Sequence, residues 1–179
     1  MKWGKMSNFG TCINPEWRKM SFIGQFQAKL DSKNRVFLPA AFRRSLQSEA
    51  SQEADQKEIT LIVRRDFFEN CLVIYPECQW KAEIEKARAR LNRFDNVQQM
   101  VYRKLISEAQ ELTLDANGRM LIPRALLERV GIVQEALFVG MEQTIEVWAP
   151  SVADAGCGNG EPFMSDADFA KGIKEFMAE

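Results

Sequence analysis

Leu30-Asp31-Ser32-Lys33-Asn34-Arg35-Val36-Phe37-Leu38-Pro39 recurs later in the chain as Leu114-Asp115-Ala116-Asn117-Gly118-Arg119-Met120-Leu121-Ile122-Pro123. Leucine, aspartate, arginine and proline coincide, and three apolar residues fill the places between arginine and proline. From Asp31 to Asp115 the offset is 84 residues; from Tyr75 to Trp148, in the matching downstream strands, it is 73. The first copy therefore carries 11 extra residues, and the polar stretch Gln47 to Lys57 accounts for them. Its composition predicts a surface loop. Duplication of one unit is the first inference to draw from such self-similarity.

Each copy reads as strand, tight turn, strand, short helix and hairpin. Phe26, Ala28 and Leu30 alternate with polar residues, the two-residue period of a strand. Asn117-Gly118 is a hairpin signal of the type I′ kind, which needs positive φ at both central residues, and Lys33-Asn34 is its weaker counterpart. Pro39 and Pro123 suit a helix start, which predicts helices over Ala40 to Leu46 and Arg124 to Val130, the second capped by Gly131. Two strands follow in each copy, about Ile59–Val63 with Cys71–Tyr75 and Ala136–Val139 with Thr144–Trp148. Between the copies, Trp80, Ile84, Ala87 and Leu91 recur at helical spacing. Asp95 then reads as the N-cap of a second helix carrying Val97, Met100, Val101 and Leu105. Both spacer helices are expected to cover one side of the β core. The tail from Ser151 has six acidic and two basic residues, with a glycine-rich loop at 156–160 and an amphipathic segment from Asp166 to Met177. The expected organisation is an extension (1–21), repeat one (22–78), helical spacer (79–108), repeat two (109–152) and acidic tail (153–179).

Composition excludes several classes of function. The chain has 179 residues and no histidine, so Ser-His-Asp and Cys-His catalysis are ruled out. Carboxylates, lysines and thiols form no recognisable catalytic constellation, and an enzyme is not expected. Cys12, Cys71, Cys78 and Cys157 form no C-x-x-C pair and read as reduced intracellular thiols. A calcium loop at Asp115 fails, because Leu126 stands where the bidentate acid belongs. No metal, cofactor or small-molecule substrate is expected. The chain has no transmembrane-length apolar run, and Asn14, Pro15 and Glu16 interrupt the place of a signal-peptide core. A cytoplasmic protein is the expectation.

Net charge is −1, yet charge is unevenly spread. From Phe22 to Leu46, Lys29, Lys33, Arg35, Arg43 and Arg44 face only Asp31, a local charge of +4. The stretch from Ser107 to Ile132 has three basic and four acidic residues. Basic side chains at a turn and its adjoining helix could reach phosphates, and arginine can read guanine edges. A solvated basic face would look the same. Asp31 and Asp115, with Asn34, Asn117 and Gly118, read as turn-forming residues: an aspartate there bonds backbone N–H groups, and the arginine across the turn can pair with it.

The repeated Leu-Asp-x-x-x-Arg…Pro unit, the ends Tyr75-Pro76 and Trp148, and the helical spacer together resemble the MraZ family of transcriptional regulators, over about Met20 to Ala149. The resemblance implies an α+β, mainly β fold: a duplicated SpoVT-AbrB-like swapped-hairpin β-barrel forming an internal pseudo-dimer. It also implies ring-shaped homo-oligomers, nucleoid association, and binding to double-stranded DNA at promoter direct repeats upstream of the division and cell-wall gene cluster. The motif arginine is the family's DNA contact, which corresponds to Arg35 and, by repeat symmetry, Arg119. Lys33 matches the basic position of the same turn, and Asn34 replaces the usual glycine. A protein-binding module like AbrB-type antitoxins, using the acidic tail as its arm, is the competing expectation.

Overall fold

The computed structural model describes residues 21–50, 59–151 and 166–176. The expected N-terminal extension up to residue 20, most of the polar insertion and the glycine-rich loop lie outside them.

In the first copy, strand β1 (Gln25–Lys29) leads through the motif turn to β2 (Arg35–Phe37), helix α1 (Ala40–Ala50), β3 (Thr60–Arg65) and β4 (Leu72–Pro76). The spacer is α2 (Glu77–Arg90) and α3 (Asn96–Ser107). The second copy repeats the order as β5 (Gln110–Thr113), β6 (Arg119–Leu121), α4 (Arg124–Arg129), β7 (Glu135–Met141) and β8 (Thr144–Trp148). Helix α5 (Asp166–Phe176) ends the described chain.

The sheets are antiparallel and interlock the copies. Six strands run in the order β1-β7-β8-β4-β3-β5, and β2 pairs with β6 in a separate ribbon. Exchanging the two copies reverses that order onto itself, which is a pseudo-twofold relation. β1 pairs with β7 and β2 with β6, so the first hairpin of each copy finds its hydrogen bonds in the other. This is the swapped-hairpin arrangement, and the fold is α+β with mostly sheet. The bridges Leu30↔Val36 and Leu114↔Met120 join ribbon to sheet at two corners, so strand neighbours run in a circuit.

Period-two alternation explains the core. Leu61 and Val63 point into the main cluster with Val36, Leu38 and Phe42 and their second-copy equivalents Met120, Ile122 and Leu126, all nearly fully buried. Phe42 sits edge-on to Phe22 at 5.5 Å and to Phe26 at 5.2 Å. Each such side chain contributes on the order of 2–3 kcal/mol by leaving water. Ile62, Val73, Tyr75, Leu137 and Trp148 point to the other face, where Trp80 of α2 packs on them. At Gly140 the segment before β1 comes so close that a Cβ would overlap the Phe22 backbone, and Gly140 N–H donates to Gly24 O at 2.9 Å.

Several expectations need correction. α1 continues through Ala50, so the extra residues of the first copy begin as helix rather than loop. Of the two spacer helices, α2 packs on the β core through Ile84 and Trp80. α3 has no buried residue, and Val97, Met100 and Val101 are more than half exposed. The spacing of its apolar residues is helical, but Val97, Met100 and Val101 stay turned to solvent. Asp95 caps α3 as expected, accepting from Val97 and Gln98 N–H. α4 ends in a Schellman arrangement, with Ile132 N–H on Leu127 O at 3.0 Å and Gly131 at φ 73°.

Candidate nucleic-acid interface

Both motif turns have one construction. Asp31 Oδ1 accepts from Lys33 N–H at 2.8 Å and Arg35 N–H at 2.9 Å, while Arg35 Nε donates to Oδ2 at 2.7 Å. Asp115 repeats it: Asn117 N–H at 2.9 Å, Arg119 N–H at 2.8 Å and Arg119 Nε at 2.9 Å. A carboxylate accepting three hydrogen bonds resists protonation. Both aspartates lie below their ordinary range, chiefly through the backbone N–H of Arg35 and of Arg119 respectively.

The turn type differs from expectation. Asn34 N–H donates to Asp31 O at 3.0 Å and Gly118 N–H to Asp115 O at 2.8 Å. Among the described residues, positive φ in these turns occurs at Asn34 (60°) and Gly118 (79°), not at Lys33 or Asn117. That is a three-residue loop closed by one left-handed residue, in place of a type I′ turn. The aspartate causes it: its side chain ties down the N–H groups two and four residues on and leaves a single residue to reverse the chain. Asparagine tolerates that conformation, so Asn34 substitutes for the glycine of the other copy.

The β2–β6 ribbon fixes where the arginines point. Its register sets Arg35 opposite Leu121, Val36 opposite Met120 and Phe37 opposite Arg119. Val36 and Met120 are buried in the core. Alternation therefore turns Arg35, Phe37, Arg119 and Leu121 onto one outer face. Arg35 and Arg119 are diagonal neighbours, with Cα atoms about 7–8 Å apart by the usual ribbon geometry. Each guanidinium is oriented through Nε by its aspartate, which leaves the two terminal nitrogens as a fork. Phe37 is 53% exposed and Leu121 56%, and the Arg119 guanidinium carbon lies 5.8 Å from the Phe37 ring centre.

The remaining basic residues do not cluster as their sequence positions suggest. Lys29 pairs with Glu135 of the second copy at 3.5 Å. Arg43 leaves α1 to lie over the second turn, where Nη1 donates to Asn117 O at 3.3 Å and the side chain covers Gly118. Arg44 stays exposed, with Nε on Ala40 O at 3.4 Å. Lys33 is exposed on the first turn. The first turn thus holds Asp31, Lys33 and Arg35, and the second holds Asp115, Arg119 and the borrowed Arg43. One surplus positive charge serves each turn, so the expected contrast between a basic and a non-basic copy is wrong: hairpin exchange carries first-copy cations to second-copy positions.

Phe37 and Leu121 escaped the motif comparison, which treated them as interchangeable apolar places. The signal was present. Three consecutive apolar residues between arginine and proline cannot all face inward on a strand, and the middle one must share the arginine's face.

The family model described as "MraZ protein, putative antitoxin-like" matches residues 21–104 and 105–152. This chain belongs to the MraZ family. Its two matched segments meet inside the spacer, so each carries one motif turn. A transcriptional regulator MraZ of Phocaeicola vulgatus is 42% identical over 158 residues, covering 88% of this chain and 94% of that protein. The transcriptional regulator MraZ of Bacteroides fragilis is 39% identical, covering 88% and 92%. That of Coxiella burnetii is 34% identical over 73% of this chain and 80% of its own.

Among the described residues no group of acidic or cysteine side chains could hold a metal, and no helix is long and apolar enough to cross a membrane.

Proposed function

We propose that this MraZ family member is a sequence-specific DNA-binding transcriptional regulator, and that the outer face of the β2–β6 ribbon enters the major groove. The observation that carries this reading is the pair Arg35 and Arg119, forked outward on one exposed ribbon and each held by its own aspartate. A two-stranded ribbon fits the major groove, and a guanidinium with two free nitrogens matches guanine O6 and N7. Lys33, Arg43 and Arg44 are proposed phosphate contacts, Arg43 at the second turn rather than the first. The relatives' shared name, transcriptional regulator, supports the same function.

The targets we propose are direct repeats in the promoter of the division and cell-wall gene cluster, bound by a ring of chains in the cytoplasm at the nucleoid. A single ribbon carries little surplus charge and binds weakly; several on one ring gain affinity through effective concentration. The exposed apolar side chains of α3 favour self-association.

The test is retention of DNA from upstream of the chain's own gene, measured over a range of salt. A steep loss with salt is expected from phosphate contacts. Arg35→Ala and Arg119→Ala should each weaken binding by more than about 1 kcal/mol with the fold intact. Unchanged affinity for both variants at fixed salt would sink the assignment.

A further inference from the structure

The ribbon's outer face carries two large apolar groups that neither the fold nor phosphate binding uses. Phe37 and Leu121 are more than half exposed, although the equivalent inward positions beside them, Val36 and Met120, are almost completely buried. Each cross-strand row of this face contains one guanidinium and one apolar side chain: Arg35 with Leu121, and Arg119 with Phe37. The rows are two residues apart, about 6.8 Å along a strand, which is close to two base-pair steps.

We propose that Phe37 and Leu121 determine operator specificity by seating thymine methyl groups, so that each row reads one guanine edge and one thymine. The proposal rests on the DNA-binding reading above. The thymine C5-methyl is the one apolar feature of the major-groove floor, and a phenyl or isobutyl group beside an arginine is the chemistry that recognises it. Pairing each cation with an apolar neighbour also excludes water from the arginine–guanine bonds. The rows are related by the pseudo-twofold but are not identical, since Phe37 in one copy stands where Leu121 stands in the other. A single ribbon therefore reads a directional element rather than a palindrome.

The experiment compares two duplexes from the chain's own upstream region, one made with thymine and one with deoxyuridine, which lacks the methyl. Fluorescence anisotropy is measured with the full-length protein. The wild-type chain should lose roughly fourfold in affinity for each methyl it buries, judged from the transfer of one methyl-sized group. Phe37→Ala and Leu121→Ala should each bind the thymine duplex more weakly and show a smaller thymine-to-uracil ratio. Phe37→Leu should keep most of it. Equal wild-type affinity for both duplexes, or an undiminished ratio in both alanine variants, overturns the proposal and leaves DNA binding standing. No binding of either duplex by the wild-type chain overturns both readings. Thermal melts verify that the variants remain folded, as exposed positions should.

Discussion

Replacing Gly118 by alanine tests the turn construction and its link to Arg43 together. Gly118 has φ 79°, a region that costs an L-residue roughly 1–2 kcal/mol. The new Cβ would also stand 2.6 Å from Arg43 Cδ, closer than any ordinary contact. The guanidinium must then leave, and its bond to Asn117 O, worth about 1 kcal/mol, is lost. The expected destabilisation is roughly 2–3 kcal/mol, a fall in Tm of about 5–10 °C for a chain of this size. Asn117→Ala is the control. Its φ is not positive, and its N–H and C=O bonds come from the backbone, so its cost should stay under about 1 kcal/mol. A type I′ turn would demand positive φ at residue 117 and make the two variants similarly damaging. Thermal unfolding followed by circular dichroism separates the outcomes. Equal losses, or a Gly118→Ala chain as stable as wild type, would refute the turn and the Arg43 placement.

Acid should weaken the fold through the motif turns. Folded Asp31 and Asp115 titrate below their ordinary value of 3.8, so the stability they provide is complete above that pH and is lost as pH falls through the lower folded values. Asp31→Asn/Asp115→Asn should therefore lower Tm at neutral pH, with the gap to wild type closing below pH 3.8, as a Tm-against-pH series would show. Glu146 shifts the other way: half-buried on β8, it is raised chiefly by desolvation, while it accepts from Trp148 Nε1 at 2.9 Å. Its ionised form is thus disfavoured in the folded chain, and that penalty is complete above the folded pKa. Glu146→Gln should raise Tm at neutral pH but not in acid, and a loss at neutral pH would show that the Trp148 bond outweighs desolvation.

Local chemistry determined much of this protein from the sequence alone. The duplication, the strands, the proline-started helices, the Asp95 cap and the Gly131 stop rest on short-range rules of period, φ preference and capping, and these act within a few residues. The twin Leu-Asp-x-x-x-Arg motif likewise marked the turns, since an aspartate needs only its next four residues to bind them. What lay beyond reach depended on which copy pairs with which. Hairpin exchange sets Arg35 and Arg119 on one ribbon, sends Arg43 to the opposite turn and matches Lys29 with Glu135, so a tally of charge along the chain misassigned the basic face. Phe37 and Leu121 became visible as outward residues only once β2 was seen to pair with β6, because one face of a ribbon is defined by what covers the other. Contacts across 74 residues, such as Arg43 to Asn117, carry no local signature, and only the tertiary structure decided them.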